Sequence, residues 1–168
     1  MKVKNLLFAA LFLFTSLGFS QNSDVVDIAI GSEDHTTLVA AAKAANLVKA
    51  LKSEGPFTVF APTNSAFDAL PEGVVANLLK PENQGKLKEV LVFHVIAGDL
   101  KAADVIKAIK DGGGKAEVKT LGGAPLTLSL KGGNVVITDG QGRMATVVAA
   151  DLKASNGVVH VLDTVLLP

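Results

Sequence analysis

Between Gly55 and Pro71 the chain reads GPFTVFAPTNSAFDALP, and Pro62 stands where one kind of backbone must stop. Thr58, Val59 and Phe60 are β-formers. Alternation puts Phe57, Val59 and Ala61 on one face and Phe60 on the other, which predicts a strand covered on both sides. Pro62 has no N–H and cannot continue a central ladder. Thr63 and Asn64 follow, and both side chains can accept from the first free N–H groups of a helix. Phe67 and Leu70 then return to the core, and Pro71 ends the turn. The stretch predicts a strand–cap–helix corner pinned by buried phenylalanines, and it holds no nucleophile paired with a base.

The periodicity on the two sides of this corner differs. Residues 35–46, HTTLVAAAKAAN, place Leu38, Ala41, Ala42 and Ala45 at helical spacing, with Asp34 or Thr36 as the cap and His35 solvated at the helix start. Asn46 suits a left-handed helix end, after which LVKALK makes a further turn. Residues 72–80 predict a helix after Pro71, and Pro81 opens another that gives way to a strand near 92–96. AADVIKAIK is a short helix whose Lys107 and Lys110, with Lys101 just before it, form a solvated face. From residue 125 the pattern changes: Leu126, Leu128 and Leu130 alternate with Thr127 and Ser129. Gly132, Gly133 and Asn134 turn that strand back into VVIT, and GRMATVVAAD and VVHVLDTVLLP read as further strands. Helices followed by antiparallel strands predict one α+β domain.

Lys2 and Lys4, an apolar run over residues 5–19, and small Gly18 and Ser20 before Gln21 predict a cleaved secretory signal over residues 1–20. The domain is then 21–168. The signal takes two of the 16 basic residues and none of the 16 acidic ones, leaving a formal charge of −2. It also takes half of the eight phenylalanines, so Phe57, Phe60, Phe67 and Phe93 are the remaining aromatics. With Arg143 as the lone arginine and scattered lysines, nothing suggests a nucleic-acid surface. The absence of cysteine removes disulfides, thiolate metal sites and a lipid-modified thiol. These features predict a secreted, periplasmic or cell-surface protein with no membrane insertion after signal removal.

Catalytic and metal readings are weak. The three dispersed histidines lack the spacing of a zinc motif. Ser155, His160 and Asp163 supply the residue types of a hydrolase, but no strand–elbow–helix signature holds the serine, and Ser155-Asn156-Gly157 reads as a turn. His94 and His160, each placed in an apolar strand, read as buried imidazoles bonded to backbone or to Thr63, Asn64 or Asp163. Asp163 interrupts an apolar run, as an edge residue, a bulge or a partner for buried N–H groups. The DGQGR stretch opens onto a strand, which does not suit a phosphate cradle. No cofactor and no catalytic residue is expected.

FTVFAPTNSAF resembles the first signature of the fasciclin domain family, and SNGVVHVLDTVLLP resembles the second. Between them LVFHVIAG resembles the family's Tyr-His element, with Phe93 in place of the tyrosine, so any contact through that hydroxyl is lost. The resemblance implies a wedge-shaped β-sandwich of about seven strands with helices along one edge. It implies structural roles for Thr58, Val59, Phe60, Ala61, Pro62, Thr63, Asn64, Phe67, Asn156, Gly157, His160 and Asp163. In animal matrix members the Tyr-His element is linked to integrin binding, which makes Phe93 and His94 candidate partner-binding residues. It further implies a non-enzymatic adhesion or interaction module whose partner is a cell-surface or matrix protein or polysaccharide. The alternative is a carrier holding a lipid or pigment in an apolar cleft between helices and sheet.

Overall fold

The computed structural model describes residues 23–168. The expected signal peptide and its cut before Gln21 lie outside the described residues. The first helices are α1 (Val25–Ile30), α2 (Thr36–Ala44) and α3 (Val48–Leu51), followed by β1 (Phe57–Pro62). Then come α4 (Asn64–Asp68), α5 (Val74–Leu78), α6 (Gln84–Phe93), β2 (Val95–Ala97) and α7 (Ala102–Asp111). The remaining strands are β3 (Lys115–Lys119), β4 (Pro125–Lys131), β5 (Asn134–Thr138), β6 (Met144–Ala154) and β7 (Gly157–Leu162).

The seven strands form one hydrogen-bonded order, β2-β1-β7-β6-β5-β4-β3. Every pairing is antiparallel except β1 with β7, which is parallel. The sheet is thus mixed, whereas the sequence patterning predicted antiparallel strands. Two strands distant in sequence, β1 and β7, lie second and third in the order, and their parallel pairing needs the long crossover that the intervening elements supply. The Leu121 N–H donates 2.8 Å to the Val95 carbonyl. This contact ties the β3–β4 connection to β2 and brings the two ends of the order together, almost closing the sheet.

Two cores lie on opposite faces of β1 and β7. Val59, Ala61 and Val159 join α1, α2 and α6 in one. Phe60 and Leu162 join Ile96, Leu126, Leu128, Ile137, Ala145 and α7 in the other. The doubly covered strand expected from residues 57–61 is therefore present, and α+β content with a sandwich-like interior follows from it.

Several local expectations change. The helix expected to yield to a strand near residue 92 runs on through Phe93, with His94 as its C-cap. Leu87, Val90 and Leu91 keep helical spacing into the core, and that burial outweighs the β-propensity of the valines. His35 is buried, not solvated, because a 3₁₀ turn over Glu33–His35 precedes α2 and folds the ring inward. Neither Asp34 nor Thr36 caps α2; Asn64 reaches across from α4 and accepts from the Thr37 N–H at 3.0 Å. The final strand stops at Leu162, and residues 163–168 form an irregular strap. Strand β3 and helix α1 were not anticipated. The lysines at 101, 107 and 110 are exposed as expected.

Candidate functional site

The first motif builds the corner as its residues predict. Thr58 is fully buried; its hydroxyl donates 2.7 Å to the Gly98 carbonyl and accepts from the Leu100 N–H at 2.9 Å. Pro62 is the last residue of β1, and the Thr63 N–H donates to the Leu162 carbonyl. Thr63 caps α4 through its hydroxyl, which accepts from the Ala66 N–H at 3.2 Å. Asn64 donates 2.9 Å to the Glu33 carbonyl while its oxygen serves α2. Phe60, Ala66 and Phe67 are buried beneath the turn.

The second motif is a three-way staple. The Asn156 oxygen accepts from the Val25 N–H at 3.0 Å, and its NH2 donates to the Leu51 and Ser53 carbonyls at 2.7 and 2.9 Å. Its backbone carbonyl accepts from the Phe57 N–H. One residue thus joins the start of α1 and the end of α3 through its side chain and the start of β1 through its backbone. Gly157 lies so close to β1 that an added Cβ would overlap the Phe57 carbonyl oxygen. Asp163 accepts from the Thr146 N–H at 2.8 Å, extending the β6–β7 contact beyond the ladder.

Both strongly buried motif histidines are bonded to backbone on both ring nitrogens. The His94 Nδ1–H donates 2.7 Å to the Val90 carbonyl, and Nε2 accepts from the Leu166 N–H at 3.0 Å. The His160 ring has the opposite tautomer: Nε2–H donates 2.6 Å to the Leu100 carbonyl, and Nδ1 accepts from the Asp151 N–H at 3.2 Å. These partners require both rings neutral. Burial pushes the His94 ring down to about 4, although the Val90 carbonyl and the Asp139 carboxylate both favour its proton. None of the expected alternatives, Thr63, Asn64 or Asp163, bonds either ring.

This arrangement separates Ser155, His160 and Asp163 chemically. His160 has no free nitrogen to act as a base, Asp163 is engaged with Thr146, and Ser155 is an exposed turn residue. Among the described residues no group of three His, Cys, Asp or Glu side chains could hold a metal ion. Phe93 and His94 are each 2% exposed, so neither ring presents itself for partner contact.

Two polar residues went unnoticed in the sequence. Asp139 is buried at the β5–β6 turn, where one carboxylate oxygen accepts from the Gln141 and Arg143 N–H groups, both at 2.9 Å. The other accepts from the Leu167 N–H at 3.2 Å. The Asp-Gly spacing was a turn signal, but not the link to Leu167. Asp151 sits in a β6 bulge at φ 60°, and its carboxylate accepts from the Ala102 N–H at the start of α7 at 2.8 Å.

Between α1, α2, α3 and the sheet lies a cavity of about 40 Å³, lined by Val25, Leu38, Val59, Leu91, His94 and other mostly apolar side chains. It occupies the place expected of a ligand cleft, yet small-molecule pockets commonly run to about 300–1,000 Å³. The outer surface offers more. Large apolar side chains stand exposed at Ile30, Leu121, Met144, Val148 and Leu152, three of them on β6.

A family model described as the Fasciclin domain matches residues 33–168. Protein sll1483 of Synechocystis sp. is 51% identical over 144 residues, covering 86% of this chain and 73% of that protein. Transforming growth factor-beta-induced protein ig-h3 of Sus scrofa is 38% identical over 144 residues, 86% of this chain and 19% of that protein. Among solved structures, a FAS1 domain pair from the insect cell adhesion molecule fasciclin I superposes with a TM-score of 0.75 at 17% identity, covering 87% of this chain and 51% of that one.

Proposed function

The chain belongs to the fasciclin domain family, and from that premise we propose that it is a non-enzymatic interaction module of the adhesion type, working outside the cytoplasm. Residues 1–20 serve as its export signal, and its partner is a cell-surface or matrix protein or polysaccharide. One observation carries this reading: Thr58, Thr63, Asn64, Asn156, His160 and Asp163 of the two family motifs all bond the chain's own backbone. Recognition then falls to the exterior, where Met144, Val148 and Leu152 place exposed apolar side chains along one strand. A surface with so few aromatic anchors binds weakly as a single copy, so clustering strengthens it.

The test is retention of cell-envelope or matrix material on the immobilised protein at increasing surface density. Retention should rise steeply with density and weaken in Val148→Asp, a change at a 59%-exposed position that should leave stability within about 0.5 kcal/mol. No retention at any density would sink the proposal. Mass analysis of the exported protein should give a chain beginning at Gln21.

The carrier alternative draws support from one feature, the apolar void beneath α1 and α2. A lipid or pigment would have to part those helices to enter. Native mass spectrometry of protein purified from its own host decides between the readings: a bound apolar ligand favours the carrier, and a bare chain favours the interaction module.

A further inference from the structure

We propose that residues 163–168 form an acid-released strap, latched by His94, whose opening uncovers the seam between the two cores. The strap belongs to no strand. Val165 is buried in the helix-side core and Leu166 in the sandwich-side core, so consecutive side chains close both. Its backbone is held near its end by three side chains. Leu166 N–H donates to His94 Nε2 at 3.0 Å, Leu167 N–H to Asp139 Oδ2 at 3.2 Å, and the Pro168 carbonyl accepts from Gln141 Nε2 at 2.7 Å.

The His94 contact reverses sign on protonation. With its Nδ1–H committed to the Val90 carbonyl, the neutral ring offers Leu166 a lone pair. A proton on Nε2 would place two N–H donors head to head and put a charge in an apolar seat. The side chains beside His94 in the cavity, from α1, α2, α3, β1, α6 and β2, are all apolar. The charged group acting on the ring from another element is Asp139. Burial holds the ring's value near 4 while the strap is closed, and a hydrated ring regains its ordinary 6.5, so acid favours the open strap progressively between those values. The adjoining 40 Å³ cavity exceeds the roughly 10–15 Å³ that admits a water, so a charged ring has a hydration route once the strap moves. On the strap Asp139 holds only the Leu167 amide, and Gln141 holds exposed Pro168.

The experiment is amide hydrogen exchange by NMR on the exported chain from pH 7 to pH 3, corrected for intrinsic exchange, with the His94 ring signals followed in parallel. Protection at Leu166 and Leu167 should fall at least tenfold between pH 6.5 and 4 and level off where the ring titrates, while Val159 and Ile137 stay better protected than the strap at every pH. His94→Gln, whose side-chain oxygen accepts from an N–H without titrating, should keep the strap closed throughout. If that variant does not fold, agreement in the unaltered chain between the levelling-off of exchange and the ring's midpoint decides. Strap protection that does not change with pH, a levelling-off away from the ring's midpoint, or protection at Val159 no higher than at Leu166 would each overturn the proposal.

Discussion

At the residue scale, His94 and Gly157 are held by opposite means. His94 is tied by two hydrogen bonds, and the one that Nε2 accepts from Leu166 exists only for the neutral ring. Its folded value is depressed to about 4 from an ordinary 6.5. The unfolded chain therefore takes up this proton first as pH falls, and stability is full above 6.5 and drains between 6.5 and 4. Linkage puts the whole loss at about 3 kcal/mol, flattening below pH 4. Urea unfolding at pH 7, 6, 5 and 4.5 checks this; a midpoint that does not move would contradict the neutral buried ring. Gly157 is held by space. Its neighbour is the backbone of β1, which no rotamer change can clear, so Gly157→Ala should cost at least about 3 kcal/mol. Thermal unfolding followed by circular dichroism would show it, and near-neutrality would mean that β1 and β7 can move apart.

At the element scale, α7 and β6 depend on one another through Asp151. The bulge turns its backbone N–H toward His160 and its carboxylate toward the start of α7. The left-handed backbone at this position is tolerated best by Gly, Asn and Asp. Asp151→Ala removes the carboxylate and puts a poor residue at positive φ, so it should cost about 2–3 kcal/mol. Asp151→Asn keeps an acceptor and the tolerated backbone, and should cost under about 1 kcal/mol. Equal losses in the two variants, measured by chemical denaturation, would rule out this account. The helix cap of α2 follows the same pattern, since Asn64 from α4 supplies what neighbouring residues were expected to provide. Capping residue types are visible in a sequence, but the helix they serve depends on which ends meet in space.

At the scale of the whole molecule, β1 and β7 are the shared wall of two cores. Neither core can open without exposing a face of the same parallel pair. Unfolding should therefore be one cooperative transition, with exchange at Val59, Phe60 and Leu162 reporting one opening free energy. Separate transitions for Leu128 and for Leu91 would show that the helical and sandwich parts come apart independently. The strap sits on the seam of this arrangement, which explains why two adjacent residues, Val165 and Leu166, serve different cores.

Residues 57–67 alone determined a doubly covered strand, its end at Pro62 and a cap at Thr63 or Asn64, because β-propensity, the missing N–H and capping side chains act within a few residues; Thr63 is the one that caps α4. The Leu126–Leu130 alternation, the glycine turn at 132–133 and the left-handed Asn46 were legible for the same reason. Strand β3 was less so, since Ala116 and Val118 are its only apolar residues. Tertiary structure alone decided the parallel pairing of β1 with β7 and the burial of His35 and Phe93. It also decided that Asn156, His94 and Asp139 serve backbone groups far away in the chain. Those outcomes depend on which surfaces and unpaired N–H and carbonyl groups come together on collapse, and a linear pattern does not carry that information.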